Sequence, residues 1–527
     1  MSITQFKKSP DKLKSYLKNS VKPSEKEDLY SLLTDQNISN EIKFIVYQQI
    51  KKRKDLFDLE KISKALELPQ TTVKKIFKSV PIKAKFPIVL GSKGEIATAY
   101  ITPLDNSIDR NSFKQKSDIQ EELNTIRSIL KNKNFPIKNF FVIFDKDFYG
   151  KSYMLSVFAG LTLPEESLKN FAFTGILNEE GEILPVEYLR EKEKISEKQN
   201  IKLITPDHIN TIEELIYYIG DESLDIPFIF MIDKPKDETN LAIKKIEKLI
   251  KKRKPFFSLE KLENIFGLSR QDLIIGYKEP LPTVNFKELE ILNPWTEQVI
   301  LFEKKLKNIY SKFQYKKRIL HLGLAVPSSL AMGLGIKLGA KKPVVVYHYQ
   351  SDEYIPVADL SDHKKLRKIK YIRKEIEKEL NLIKITFLKN KISSKEDTAV
   401  VIWLASHNIC FDVKNYLTHE KRNYPILKIE SKEHQGDIPL PVDLDKKNKD
   451  LWIRYVSEIY STLNILKNKE KIKRYHIFLS SPVPIAFLLG MAVGHFWDGI
   501  IYNIRFNRDK KYHPVFNLNN KHLISIF

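Results

Sequence analysis

The chain has 527 residues, with 89 Lys and Arg against 66 Asp and Glu (a formal net charge of +23) and 42% hydrophobic residues. That length excludes a single core and implies about three domains. The only cysteine, Cys410, excludes an intrachain disulfide framework and a cysteine-based zinc site, and no metal site is expected.

The basic excess has two readings. One is an anionic partner such as nucleic acid or a nucleotide. The other is a Lys/Glu/Ile-rich composition of the kind that high growth temperature favours. Lysine is spread along the whole chain, which assigns most of the charge to the second reading. The opening MSITQFKKSPDK has no apolar signal segment, so the expected location is the cytoplasm. Two apolar stretches, Ile319–Gly339 and Ile477–Trp497, are as long as a membrane span of about 20 residues. Each is broken near its start by small residues and proline (Val326-Pro327-Ser328-Ser329; Ser480-Ser481-Pro482), which predicts a buried strand, a loop and a short helix, not a span.

In chain order, the first feature is a helical hairpin. IKKRKDLFDLEKISKALELPQTTVKKIF from Ile50 returns as IKKRKPFFSLEKLENIFGLSRQDLIIGY from Ile250, with Phe57, Leu59 and Leu68 matching Phe257, Leu259 and Leu268. Each copy reads as a basic tail, a helix, a turn and a second helix. The pattern is compatible with a DNA-reading helix-turn-helix. It also fits a bracket that merely frames a domain. VKKIFKSV and DLIIGYKE offer few base-reading side chains, so the bracket is favoured and duplex DNA is not the expected partner.

Next comes strand Phe140–Phe144, then DKDFYGKS and the apolar helix YMLSVFAGL. A phosphate-binding P-loop needs glycine where Asp145 stands, and a carboxylate there would repel phosphate. Downstream stand Phe173-Thr174-Gly175-Ile176, then Gly181-Glu182-Ile183-Leu184-Pro185-Val186, then Leu189-Arg190-Glu191-Lys192. This series, with Ser152 after Gly150, resembles the Lon protease domain from about residue 83 to 235. The resemblance implies a Ser152 nucleophile, a Lys192 base and a Thr174 hydroxyl that orients the lysine. It departs at Lys151, Tyr153-Met154, Tyr149 and Glu187-Tyr188, where the family has proline, small residues, an acidic residue and paired glycines. Glu187-Tyr188 is the segment where control of the site is expected. A lysine base must be largely neutral, so its pKa must fall by about 3 units from ~10.4 through burial. Val186, Leu189 and Ile195 are the expected apolar walls. A serine at a helix start also places backbone N–H groups near a developing oxyanion. No ATPase motor motif is present, so an ATP-independent endopeptidase is expected.

The last part of the chain is duplicated. Pro327, Ala331, Gly335, Gly339 and Tyr347 pair with Pro482, Ala486, Gly490, Gly494 and Tyr502 at one offset. After a three-residue insertion, Tyr354 and Pro356 pair with Tyr512 and Pro514. Each unit reads strand, small-residue loop, helix, strand and a Tyr-x-Pro-Val segment, preceded by a charged amphipathic helix: a repeated Rossmann-like half. His321-Leu322-Gly323-Leu324, Pro327, Ala331 and Tyr354-x-Pro356-Val357 resemble a SAVED domain of two fused CARF-like halves, about 286–420 and 421–527. The resemblance implies a sensor for cyclic oligonucleotides. Ligands of such sheets sit beyond the carboxyl ends of strands, at helix N-termini. The expected ligand residues are therefore Pro327, Ser328, Ser329, His407, Asn408, Ser480, Ser481 and Pro482. Trp497 is either a stacking face or core, and Lys510 and Lys511 are either phosphate partners or a solvated turn.

The expected architecture is thus α/β and multidomain: a helical region 1–82, a Lon-like α+β domain 83–235, a helical linker 236–285 and a SAVED sensor 286–527. Together the two halves of the chain resemble the CRISPR-associated Lon–SAVED proteases. That resemblance implies activation by cyclic tetra-adenylate in type III CRISPR antiviral signalling, cleavage of an anti-sigma-like companion protein, and ligand-induced head-to-tail self-association. It implies no other cofactor and no membrane. The alternative is a ligand-responsive DNA-binding regulator whose protease-like domain is inactive.

Overall fold

The computed structural model describes residues 6, 8–19, 26–53, 57–91, 93–106, 108, 111–113, 119–220, 223–313, 317–370, 380–389, 396–434, 438–441, 450–494, 497–504 and 512–523. They fall into two compact units, Met1–Glu222 and Ser223–Phe527.

The first unit opens with helices α1 (Pro10–Asn19), α2 (Lys26–Thr34), α3 (Asn40–Lys52), α4 (Leu59–Leu66) and α5 (Gln70–Lys78). Ser39 starts α3 by accepting the Ile42 N–H, and Asp58 starts α4 by accepting the Glu60 N–H, each satisfying an otherwise orphaned donor. Their apolar faces do not close on themselves. Leu33, Val46 and Ile76 share one core with Leu104, Phe113, Phe141 and Ile143 of the following segment.

That segment contains β1 (Ile82–Leu90), β2 (Lys93–Leu104), α6 (Gln120–Asn132), β3 (Asn139–Phe144), α7 (Met154–Thr162), α8 (Glu165–Asn170), β4 (Phe171–Phe173), β5 (Ile176–Leu177), β6 (Ile183–Leu184), α9 (Leu189–Lys198), β7 (Lys202–Ile204) and α10 (Ile212–Leu215). The main sheet has the order β3-β2-β1-β4-β7. β3, β2 and β1 are antiparallel neighbours, whereas β1, β4 and β7 run parallel. Helix α7 is apolar on every face and is buried almost throughout, as such a helix must be. β3 is an antiparallel edge strand, and the Asp145 carboxylate after it accepts the Thr98 N–H at 2.7 Å. The Asp145 loop is therefore tied to the sheet edge and is no phosphate cradle.

The second unit contains β8 (Ser223–Ile232), α11 (Lys236–Lys251), α12 (Leu259–Phe266), β9 (Ile274–Tyr277), α13 (Pro294–Ser311), β10 (Lys317–Ala325), α14 (Ser328–Leu338), β11 (Val344–Gln350), β12 (Glu353–Leu360), α15 (His363–Lys368), β13 (Ile383–Lys389), β14 (Asp397–Trp403), α16 (Cys410–His419), β15 (Ile426–Ser431), α17 (Leu451–Glu470), β16 (Arg474–Ser480), α18 (Val483–Val493), β17 (Gly499–Ile504) and β18 (Tyr512–Asn517). One sheet has the order β12-β11-β10-β8-β9 and the other β13-β15-β14-β16-β17-β18.

Three expectations need correction. The unit begins at Ser223, not after residue 235, because β8 pairs in parallel with β10 over its length, from Ser223 beside Lys317 to Met231 beside Ala325. Residues 236–285 are consequently part of a sheet-bearing unit and not a linker. The second hairpin copy has no second helix: after a 3₁₀ turn at Arg270–Leu273, β-branched Ile274-Ile275 extend as β9 along β8. Finally, the two sheets part between Leu360 and Ile383, well before residue 420, because β14 and β15 pair into the second sheet.

The duplicated series appears as β10–α14–β11–β12 and β16–α18–β17–β18. Helices α14 and α18 cross at Gly335 and Gly490. A Cβ on Gly335 would stand 2.0 Å from Phe487 O, and one on Gly490 would stand 2.1 Å from Met332 O. Backbone meets backbone there, which only glycine permits.

Candidate functional site

Ser152 and Lys192 line one cavity of about 600 Å³, together with Ile88, Val89, Ile176, Pro185, Val186 and Tyr188. Ser152 lies two residues before α7. Its carbonyl accepts the Gly175 N–H at 3.0 Å, and Gly175 O accepts the Leu155 N–H at 3.2 Å, so the Thr174-Gly175 segment clamps the start of the helix. The Met154 N–H donates to Lys151 O, and the Ser152 N–H has no protein acceptor among the described residues. Gly150 has φ +80°, a left-handed conformation that lets the chain turn into Ser152 without strain.

Lys192 projects from the first turns of α9 and is only 6% exposed. Burial disfavours its ammonium and pushes its pKa down to about 8; the Glu187 carboxylate acts weakly in the opposite direction. Of the three apolar walls expected from the sequence, Val186 lines the cavity. Ile195 faces Gly94 instead, where an added Cβ would come within 2.1 Å of its Cδ1. Tyr188 adopts φ 55° as the residue that starts α9, and Glu187 and Tyr188 form part of the cavity wall. The Thr174 hydroxyl is buried and has no hydrogen-bond partner among the described residues, so no bond from it orients Lys192 there. No hydrogen bond joins the Ser152 hydroxyl to Lys192 among the described residues.

In the second unit, two cavities share Val326, Pro327, Asn503 and Ile504. The larger, about 850 Å³, is lined by Asp233, Lys234, Thr283, His348, Tyr349 and His513 among others. The smaller, about 380 Å³, is lined by Ser328, Ser329, His407, Ser480, Ser481 and Tyr502 among others. The larger opens at the carboxyl ends of β8 and β10, the smaller at those of β10, β14 and β16. The first residues of α14 and α18 reach them without a side-chain cap, so backbone N–H groups and the positive helix ends face the space. Hydroxyls fix the loops to one another. Ser328 Oγ donates to Ser481 O (2.9 Å), Ser329 Oγ to Asn503 Oδ1 (2.8 Å) and Ser480 Oγ to His407 O (2.6 Å).

Residues 372–518 match the SAVED family model. The family is described as a SMODS-associated sensor domain fused to various effectors. Among solved structures, the chain is similar to the Cap4 SAVED/CARF-domain containing receptor of Acinetobacter baumannii with the cyclic trinucleotide 3′3′3′-cAAA. That match has 14% identity and a TM-score of 0.34, over 83% of this chain and 94% of that one. The same receptor with 2′3′3′-cAAA gives 11% and 0.35, over 83% and 94%. The Moraxella osloensis Cap4 receptor gives 13% and 0.32, over 83% and 95%. No curated protein matches the chain.

Not every expected residue of the SAVED region reaches the cavities. Pro482 lies between Ser481 and Val483, which line them. Asn408 lies two residues before α16 and its Oδ1 accepts the Cys410 N–H at 3.1 Å. Trp497 is core: it is 3% exposed and stacks on Tyr460 at 5.4 Å, because its large apolar area is better buried than held open. Lys510 and Lys511 lie outside the described residues.

Residues the sequence reading missed are Asp233 and Lys234, which follow β8, and His348 and Asn503, from β11 and β17. The rule that places ligands beyond strand ends reaches Asp233 and Lys234 once β8 is assigned to this unit. A duplicated buried relay was also missed. His321 lies 2.8 Å from Tyr347 OH and 2.7 Å from Asp225. His476 lies 2.8 Å from Tyr502 OH and 3.2 Å from Asp397. Burial pushes the His476 pKa down to about 4, so the ring is neutral, donating to the carboxylate and accepting from the tyrosine. The second relay thereby fixes Tyr502 in the cavity wall. Among the described residues no helix is long and apolar enough to cross a membrane.

Proposed function

We propose that this chain is a serine endopeptidase with a Ser152–Lys192 dyad, gated by a cyclic oligoadenylate bound in the SAVED region. The observation that carries the proposal is the cavity wall shared by Ser152 and Lys192, with the lysine buried and its pKa lowered to about 8. Neutral Lys192 takes the Ser152 proton as Oγ attacks a peptide carbonyl. The free Ser152 N–H is positioned to stabilise the oxyanion. The Lys192 ammonium then protonates the leaving amine, and a water activated by the same lysine hydrolyses the acyl-serine. The missing Ser152–Lys192 hydrogen bond fits a resting site that tightens on activation.

On the sensor side, adjoining cavities of about 850 and 380 Å³ at uncapped helix ends suit a ring of phosphates and bases better than a single nucleotide. Two fused CARF-like halves, cyclic tetra-adenylate as activator, ligand-driven head-to-tail assembly and an anti-sigma-like companion protein as substrate complete the proposal, in type III CRISPR signalling. The DNA-binding alternative loses one of its two helix pairs, since the second hairpin copy ends in β9.

The test is incubation of the purified chain with its genomic-neighbour proteins and with cyclic tri- or tetra-adenylate. Wild type is compared with Ser152→Ala and Lys192→Ala on a gel. Ligand-dependent cleavage of one neighbour, lost in both variants, is the expected result. Ligand binding without any cleavage would overturn the protease assignment.

A further inference from the structure

We infer that the N-terminal helical region is part of the catalytic frame: the first N–H of α3, that of Asn40, hooks the Asp147 carboxylate and so positions the loop that carries Ser152. The inference rests on the protease reading above.

The loop from Asp145 to Ser152 belongs to no strand or helix, so its shape depends on side-chain anchors. Asp145 is held by β2, through the Thr98 N–H. The next two residues are held by α3. Asp147 Oδ1 accepts the Asn40 N–H at 2.7 Å, and Asn40 Nδ2 donates to Lys146 O at 3.2 Å. Lys146 also pairs with Glu41 of α3 at 3.3 Å and with Glu95 of β2 at 3.2 Å. A carboxylate at a helix N-terminus is favoured by the free N–H groups and the dipole together. Beneath it lies Lys43, 1% exposed, whose charge faces Asp147 and Asp35. Burial lowers the Lys43 pKa to about 8 and the Asp35 and Asp147 carboxylates oppose that fall, which makes the junction a specific contact and not surface packing.

Beyond Asp147 the chain has one more fixed point, Phe148, packed against Phe86, Phe144 and Tyr153. Tyr149 is then 76% exposed and Gly150 turns at φ +80° with open space around it. Ser152 is clamped on its far side by Gly175. The serine is thus the end of a short arch with three footings: Asp145 on the sheet, Asp147 on α3 and Phe148 among the aromatic side chains. Removing the α3 footing leaves Lys192 in place but loosens the arch. Misplacing a reacting atom by about 1 Å costs on the order of a hundredfold in rate.

The decisive variant is Asn40→Pro. Asn40 is the first residue of α3, where proline is well tolerated, and Ser39 before it has φ −62° and ψ 147°, which a following proline prefers. The substitution deletes the hooking N–H without breaking the helix. Asn40→Ala keeps the N–H and is the control. Acylation of Ser152 by p-nitrophenyl acetate, with and without cyclic tetra-adenylate, is followed by nitrophenolate release and intact mass. Hydrogen exchange of the peptide spanning 148–153 is measured on the same proteins. In Asn40→Pro, acylation is expected to fall at least tenfold with its pH midpoint unchanged, and exchange of 148–153 to quicken, while Asn40→Ala, which loses only the Nδ2 bond to Lys146 O, loses several-fold less than Asn40→Pro. Unchanged exchange in Asn40→Pro overturns the anchor whatever the activity. Faster exchange with undiminished acylation overturns its role in positioning. Wild type that acylates no faster than Ser152→Ala defeats the protease reading itself and leaves this inference without a site to position.

Discussion

Substituting Gly335 by alanine probes the crossing that joins the duplicated series. Alanine is the better helix former by about 1 kcal/mol, so intrinsic propensity alone predicts stabilisation. Geometry predicts the reverse. The new Cβ would stand 2.0 Å from Phe487 O and 2.9 Å from Phe487 C, whereas ordinary contact begins near 3.4 Å. The neighbours are backbone atoms of α18, so no side chain can swing aside, and α14 and α18 must separate by about 1.4 Å. Forcing atoms into a packed interior costs about 1–3 kcal/mol or more, which corresponds to a fall in melting temperature of roughly 2–5 °C for a unit as large as Ser223–Phe527. Gly490→Ala should cost the same, since its Cβ meets Met332 O at 2.1 Å. The double variant should cost less than the sum, because one separation relieves both clashes. All four tryptophans (Trp295, Trp403, Trp452 and Trp497) lie in the second unit, so tryptophan fluorescence during heating reports this unit selectively. A Gly335→Ala protein that melts at or above the wild-type temperature would refute the backbone-to-backbone crossing. A fully additive double variant would refute the shared separation.

Acylation of Ser152 should rise with pH through about 8 and then level off, because Lys192 can accept a proton only when neutral and burial has brought its pKa to about 8; a rate independent of pH between 6 and 9.5 would exclude Lys192 as base. Ser328→Ala removes the hydroxyl that donates to Ser481 O and should weaken cyclic tetra-adenylate binding about three- to tenfold by calorimetry, with little change in melting temperature. Trp497→Ala should destabilise the second unit by about 3–5 kcal/mol in urea titrations yet leave the affinity of the folded protein unchanged, since the ring is core. Tyr502→Phe should cost about 1–3 kcal/mol by leaving His476 Nδ1 and one Arg422 N–H unpartnered, where Arg422 Nη1 now donates to the hydroxyl at 3.0 Å.

The sequence by itself determined the elements whose signals are local or repeated. Apolar runs interrupted by Val326-Pro327-Ser328 and Ser481-Pro482 could only be strand, loop and buried helix, and the constant spacing of Pro327, Gly335 and Tyr347 with their later partners announced the duplication. The loops expected at the ligand site do line the cavities, because a helix N-terminus beyond a strand end is a property of chain order. Tertiary structure decided what depends on pairing across sequence. LIIGY became β9 because β8 was there to receive it, although its spacing in the hairpin repeat read as helix. β8 itself, apolar from Ile226 to Ile232, carries no mark of which sheet it joins; only its register with β10 settles that. Asp225 and Asp397 lie 96 and 79 residues from the histidines they face, so neither relay was visible in any window of the chain. Trp497 was equally compatible with a platform and a core until Tyr460 was found stacked on it. For Lys192 the resemblance called for a depressed pKa, but KEKISEK contains nothing local that buries an amine; the cavity wall built by segments over a hundred residues apart, Ile88 to Lys192, takes it out of water.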